Sequence, residues 1–235
     1  MKYTLRALSA LITYPNEDIQ EHIGAIREAL HREAELPRDA LARLEPLLGT
    51  FMTEDLFDLQ ARYCELFDGS RSLSLHLFEH VHGDGRSRGK AMTDLGEAYL
   101  ARGFMMQQAE LPDFLPMFLE FLSVLPKDEA RDWLSQPAHV LAALEERLNG
   151  RASAYAAVFH CLLRLSKRAP SAEEVQSLAD YQDPTTPDEI DRVWEEAPVN
   201  FNAPIEEATQ PSRLVTRLRA AKRDAAAQAR GGRHA

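Results

Sequence analysis

Apolar residues recur along this chain at intervals of three and four, the period that lines one face of an α-helix. Leu5, Leu8 and Ile12 share such a face, and Pro15 ends the run. Ile19, Ile23, Ile26 and Leu30 continue at the same period up to Pro37, and Leu41, Leu44, Leu47 and Leu48 predict a short third helix. Thr53 reads as the N-cap of a fourth, with Asp55 in its first turn and Leu56, Leu59, Tyr63 and Leu66 on its buried stripe. After Asp68-Gly69-Ser70 the pattern predicts a short helix capped by Ser72, carrying Leu75 and Phe78 and ending at Gly83-Asp84-Gly85.

A longer helix is expected from about residue 86 to 101. The most apolar one runs over 114–125, with Asp113 as its N-cap and Pro116 in its first turn, where a missing N–H costs little. A helix apolar nearly all round belongs at the centre of a bundle. Helices over 137–148 and 152–168 complete the expected core, and no segment reads as a strand.

Beyond Pro170 the character changes. Residues 171–210 are rich in Asp and Glu, with Arg192 their only Lys or Arg, and are punctuated by Pro184, Pro187, Pro198 and Pro204. Residues 211–235 reverse the sign, with Arg213, Arg217, Arg219, Lys222 and Arg223. The reading is an all-α protein: one helical-bundle domain over 1–169, then an extension over 170–235, acidic and then basic, expected to be partly helical or disordered.

Composition narrows the function classes. The formal charge of −10 opposes binding to phosphate backbones and anionic lipid, so nucleic acid is not expected as a partner, nor is membrane insertion. Cys64 and Cys161 are far apart and form no CxxC pair, which suits free thiols in a reducing compartment. No run reaches the length of a membrane span, and a cytoplasmic location is expected.

Three constellations suggest chemistry. His76-Leu77-Phe78-Glu79-His80 fits H-x-x-E-H, in which two His one helical turn apart hold zinc and the Glu handles the water. That remote metallopeptidase reading needs a third ligand, for which Glu145 and Glu146 are the only crude candidates; a structural role is favoured, with no metal expected. Gly83-Asp84-Gly85-Arg86-Ser87-Arg88-Gly89 could offer backbone N–H groups, Arg86 and Arg88 to an anion, which would make the chain a nucleotide- or molybdopterin-binding carrier. It follows a predicted helix rather than a strand, so a helix–turn–helix joint is the simpler reading. His160-Cys161 are sequence neighbours that do not face each other on a helix, so they read as core. No enzyme emerges.

The segments Tyr63-Cys64-Glu65-Leu66-Phe67-Asp68, Ser74-Leu75-His76-Leu77-Phe78-Glu79-His80-Val81-His82-Gly83 and Arg86-Ser87-Arg88-Gly89-Lys90-Ala91-Met92 closely resemble the NarJ family. These are the assembly chaperones of respiratory nitrate reductase, within the wider TorD/DmsD class of molybdoenzyme chaperones. The likeness extends to Tyr14-Pro15, Glu110-Leu111-Pro112-Asp113-Phe114-Leu115-Pro116, Leu119-Glu120-Phe121-Leu122 and Val193-Trp194-Glu195-Glu196. One departure is Phe114, where members of the class often carry His after the Pro-Asp pair.

The resemblance implies a non-enzymatic chaperone that binds the apo catalytic (alpha) subunit of nitrate reductase by its N-terminal segment. It would support insertion of bis(molybdopterin guanine dinucleotide)molybdenum before membrane docking. No cofactor is expected to stay bound, with contact to that on the client transient. An acidic helix bundle suits an amphipathic, basic helix in a groove. Tyr63, Phe67, Leu75 and Phe78 are expected as apolar walls, Glu110 and Asp113 as the charges facing the client, and Arg86 and Arg88 as joint or client contacts.

Overall fold

The computed structural model describes residues 1–69, 71–81, 86–106, 110–176 and 178, with backbone alone at 86 and 87. Among them are eleven α-helices and no strand. In chain order these are α1 (Lys2–Leu11), α2 (Glu17–Glu21), α3 (Ile23–Glu33), α4 (Arg38–Thr53), α5 (Leu56–Tyr63) and α6 (Arg86–Ala101). They are followed by α7 (Leu115–Ser123), α8 (Lys127–Ser135), α9 (Ala138–Gly150), α10 (Ala156–Ser166) and α11 (Ala172–Gln176). The all-α expectation holds.

The apolar helix α7 is central, as its sequence requires. Phe118, Leu119, Phe121 and Leu122 are wholly buried and pack against Leu5, Leu8 and Leu11 of α1. The buried Ser9 hydroxyl of α1 donates to the Pro116 carbonyl at 2.8 Å, satisfying a polar group that would otherwise be stranded in this interface. The second half of the core is α10, which lies against α9, α4 and α8 and buries Val158, Phe159, Cys161 and Leu162. Cys161 is therefore core, and the largely buried His160 beside it donates from Nδ1 to Glu145 at 3.0 Å.

Several boundaries differ from expectation for local reasons. The run Ile19–Leu30 divides at His22, after a short α2 whose N-cap Asn16 accepts from the Ile19 amide. Helix α4 continues to Thr53 despite Pro46 in its interior. Thr53 consequently ends α4, and Asp55 is the cap of α5, accepting from the Phe57 amide at 2.9 Å. Residues 127–135, which the sequence reading passed over, form α8; Ala130, Trp133 and Leu134 face inward at i, i+3 and i+4.

Past the expected boundary at 169 the described chain continues to pack. Ser171 and Glu174 exchange backbone and side-chain hydrogen bonds at 3.2 and 3.0 Å, a capping box that starts α11 against α9. Arg147 of α9 donates to the carbonyls of Ser72 and Leu178. The acidic and basic stretches at 179–235 lie outside the described residues.

Candidate functional site

Residues 71–81 form no α-helix. Two 3₁₀ turns, Arg71–Leu73 and Leu77–Glu79, flank an extended His76 that bridges antiparallel to Phe114. The Leu115 amide donates to the Leu75 carbonyl at 2.8 Å and the Leu77 amide to the Asp113 carbonyl at 3.0 Å. The Asp113 carboxylate, wholly buried, completes the knot. Its Oδ2 accepts from the Phe78 amide at 3.0 Å and its Oδ1 from His76 Nδ1 at 3.2 Å. Asp113 is thus spent on the neighbouring segment and does not cap α7, whose N-cap is Phe114.

The H-x-x-E-H residues are committed within the same knot. The hydrogen bond to Asp113 holds the His76 imidazolium above its ordinary pKa, against the opposing effect of burial. His80 donates from Nε2 to the Ser74 carbonyl at 2.8 Å, and burial lowers its pKa. Burial pushes the Glu79 carboxyl up, but hydrogen bonds from Ser74 and Arg88 outweigh it and keep it below its usual value; the Arg88 bond is 3.0 Å. Neither His lies on a regular helix, so the one-turn spacing that zinc needs is missing. Among the described residues no group of three His, Cys, Asp or Glu is placed to hold a metal ion.

A second region forms around the end of α5. Residues Cys64–Asp68 wind as a π-turn, closed by the Gly69 amide on the Cys64 carbonyl at 2.9 Å. The wider turn buries Leu66 and Phe67 side by side and leaves Glu65 and Asp68 exposed. Tyr63 donates its hydroxyl to the Ile12 carbonyl at 3.1 Å, and burial raises its pKa, with the charges of Asp68 and Glu110 adding to the shift. Its ring meets Tyr14 edge-on at 5.5 Å and Phe67 at 4.9 Å, and Phe67 meets Tyr155 at 5.2 Å. Tyr155 arrives from the tight α9–α10 turn, where Ala152 takes φ +50°.

Beside this aromatic cluster a cleft of about 440 Å³ opens between the end of α4, α5, the π-turn and the α9–α10 turn. Glu54, Arg62, Glu65, Arg151, Ser153 and Tyr155 line it. Gln20 fixes the α4–α5 corner by donating to the carbonyls of Phe51 and Glu54 at 3.2 and 2.8 Å. Met52 and Phe57, on the same corner, are exposed at 56% and 78%.

Comparison with known proteins agrees with this architecture. A family model described as nitrate reductase delta subunit matches residues 16–160. The chain belongs to that family. It is 42% identical over 197 residues to the nitrate reductase molybdenum cofactor assembly chaperone NarJ of Escherichia coli K12, covering 83% of this chain and 84% of that one. It is 31% identical over 156 residues to the nitrate reductase-like protein NarX of Mycobacterium tuberculosis H37Rv, spanning 63% of this chain and 22% of the longer relative. A solved redox enzyme maturation protein from Archaeoglobus fulgidus shares the fold, with a TM-score of 0.51 at 24% identity over 72% of this chain and 94% of the other.

Within the family fold, the residues singled out from sequence divide between the two regions. Tyr63 and Phe67 sit in the aromatic cluster, with Glu110 exposed nearby; Leu75, Phe78 and Asp113 sit in the knot. Tyr63, Phe67, Leu75 and Phe78 are all at least nine-tenths buried and belong to the core, so none presents an apolar wall to solvent as expected. Asp113 likewise offers no charge at the surface. Arg88 serves the joint through Glu79; the Arg86 side chain and the glycine turn at 83–85 lie outside the described residues. Sequence reasoning missed Glu54, Arg62 and Tyr155, which come from three separate helices or turns and carry no motif.

Proposed function

We propose that this chain is the system-specific chaperone of a respiratory nitrate reductase. It binds the apo catalytic (alpha) subunit by that subunit's N-terminal segment and supports insertion of bis(molybdopterin guanine dinucleotide)molybdenum before the complex docks at the membrane. The observation that carries the reading is identity of 42% along 84% of a chaperone named for that assembly. The cofactor is cargo of the client, and this chain needs only transient contact with it. Its own work is non-covalent, so it acts as a binding protein rather than an enzyme. Among the described residues no helix is long and apolar enough to cross a membrane, which suits a cytoplasmic place of action.

The surface supports the same reading. Asp55, Asp58, Glu65, Asp68 and Glu110 are exposed along α5, the π-turn and the aromatic cluster, Met52, Phe57 and Tyr14 add apolar surface, and Arg62 and Arg151 line the cleft itself. Such a surface is complementary to an amphipathic segment with basic residues, the charges setting register and association rate and the apolar side chains supplying affinity. This proposal moves the client's apolar contacts from Leu75 and Phe78 to the corner of α4 and α5. A segment that folds on binding loses conformational entropy, so a dissociation constant on the order of micromolar is expected. Titration calorimetry with a peptide copying the N-terminus of the catalytic subunit tests this. Absence of binding by the wild-type chain, at concentrations well above micromolar, overturns it.

A further inference from the structure

Outside the cleft, the α4–α5 corner and the π-turn form a face that is both apolar and acidic. Met52, Phe57 and Ala61 stand open to solvent there, and Asp55, Asp58, Glu65 and Asp68 are exposed along the same stretch. Arg62 is the only Lys or Arg of residues 54–69, and its guanidinium is already engaged, 2.7 Å from Glu54 on the cleft side. The face thus offers apolar contact and negative charge to a partner, with its one cation committed elsewhere.

The chain carries a segment of the opposite kind. Leu214, Leu218, Ala221 and Ala225 recur at i, i+4, i+7 and i+11, the period of one helix face, and Arg213, Arg217, Arg219, Lys222 and Arg223 fall around them. Its tether starts close to the acidic face. The Arg147 guanidinium donates to the carbonyls of both Ser72 and Leu178, so it spans from the end of the described chain to the Arg71–Leu73 turn, and that turn packs against the π-turn. Residues 179–211 reach roughly 100 Å when extended, at about 3.3 Å each, so length does not limit the contact. We infer that residues 212–225 dock on the outer face of α5 and the π-turn, their cations against Asp55, Asp58, Glu65 and Asp68 and their leucines against Phe57 and Met52. The acidic residues of the tether compete for the same cations, but a face held by the fold pairs with them without first being ordered. Where a client uses this face, as the chaperone reading has it, the segment is an occupant that the client displaces. That consequence rests on the chaperone reading; the docking does not.

The test compares the full-length chain with a full-length variant carrying Arg213→Gln, Arg217→Gln, Lys222→Gln and Arg223→Gln. With no client present, the backbone amide resonances of Asp58, Glu65 and Asp68 should differ between the two. A peptide copying residues 211–226, added to the variant at millimolar concentration, should return them to the wild-type positions, and the same peptide with the four cations replaced by Gln should not. Unchanged α5 and π-turn amides in the variant overturn the docking. So does a change confined to the acidic residues of 180–207, which would mean that the segment pairs with its own tether.

Titration with the client peptide reads the consequence. A tethered segment acts at an effective concentration on the order of millimolar. With a dissociation constant of about 100 μM as a separate peptide, it fills the face about nine-tenths of the time and raises the client's apparent Kd about tenfold. The variant should therefore bind the client peptide about tenfold tighter than wild type at low salt, and the gap should close toward 1 M, where the Debye length falls to about 3 Å. Equal affinities at low salt, with the amide differences present, sink the competition. Amide differences with no client binding to either protein keep the docking and sink the chaperone reading. Absence of amide differences sinks the docking whatever the client does.

Discussion

Two regions of this molecule bring an acidic side chain, aromatic rings and a cation together, and they treat the polar atoms differently. In the knot between residues 71–81 and 111–115, the Asp113 carboxylate receives an amide and an imidazole, and Glu79 receives Arg88 and Ser74. At the cleft, the Tyr155 hydroxyl is buried and receives no hydrogen bond, while Glu54 is half-buried and ion-paired with Arg62 at 2.7 Å. The first arrangement holds a fold together, since every buried charge is compensated internally. The second leaves one buried hydroxyl, that of Tyr155, without a partner among the described residues. The segments that carry the resemblance reach both regions: 74–83 and 110–116 meet in the knot, and 63–68 borders the cleft through Glu65 and Leu66.

The largest effect should come from breaking the satisfied region. Asp113→Ala removes the acceptor for the Phe78 amide and the partner of His76 in one step. A loss of about 3 kcal/mol in unfolding free energy is expected. For a chain of this size that lowers Tm by roughly 6–12 °C. Chemical denaturation checks it, and a variant within about 0.5 kcal/mol of wild type would show that the knot is not where stability is held.

The same knot makes stability depend on pH. His76 has a folded pKa above its ordinary 6.5, so its contribution is fully present below that value and is lost as pH rises through the raised folded value. His80, whose folded pKa is lowered, acts oppositely: it costs stability as pH falls from 6.5 toward its folded value. The difference in Tm between wild type and His76→Gln isolates the first term and should shrink as pH rises from about 6 to 9. A separate acid limb belongs to Glu33. Burial pushes its carboxyl up, but the N-terminal ammonium and Thr4 outweigh it and bring it to about 2, so its contribution is lost as pH falls from 4.5 toward 2.

Much of the fold was legible because helix period and apolar content are local properties. Helix α7 was read as central from its composition alone, and Leu115–Ser123 are where that reading put them. The segment 71–81 was not legible as it stands. Leu73, Leu75 and Leu77 alternate with Ser74 and His76, a period-two hint of extended chain, but the hydrogen bonds that stabilise that form come from residues 111–115. Helix α8 was overlooked because its sequence is mostly polar, although Pro126, Asp128 and Glu129 give an ordinary helix start. The candidate site was less legible still. Tyr63 and Phe67 stand out in the sequence, but Tyr155 reaches them only through the packing of α10, and nothing local marks Glu54 as the partner of Arg62.

The contrast sharpens with a mutation of opposite sign. Tyr155→Phe deletes a buried hydroxyl that has no partner, keeps the ring against Phe67, and should leave the free protein unchanged or more stable by up to about 1 kcal/mol. Differential scanning calorimetry on the free chain reads it directly. A loss of more than about 1 kcal/mol would mean that the hydroxyl is satisfied in solution, and the two regions would then be alike.

The smallest effect is expected at the rim, where the charges around the cleft are open to solvent. Glu110 and Asp68 are exposed, and both lie close enough to Tyr63 to raise its pKa, so they flank the aromatic cluster without entering it. Exposed charges gain little from one partner, because water and salt screen them and long side chains lose freedom when held. Glu110→Gln with Asp68→Asn should therefore cost about 0.5 kcal/mol per site in client-peptide affinity, roughly a twofold rise in Kd for each. The rise should disappear as salt approaches 1 M, where the Debye length falls to about 3 Å. Asp113 stays out of this pair, since its replacement would report on folding. Calorimetric titrations of wild type and the double variant at low and high salt decide the matter. A loss of tenfold or more that persists at high salt would show that Glu110 or Asp68 is desolvated in the complex, and the binding surface would then extend past the cleft to the aromatic cluster itself.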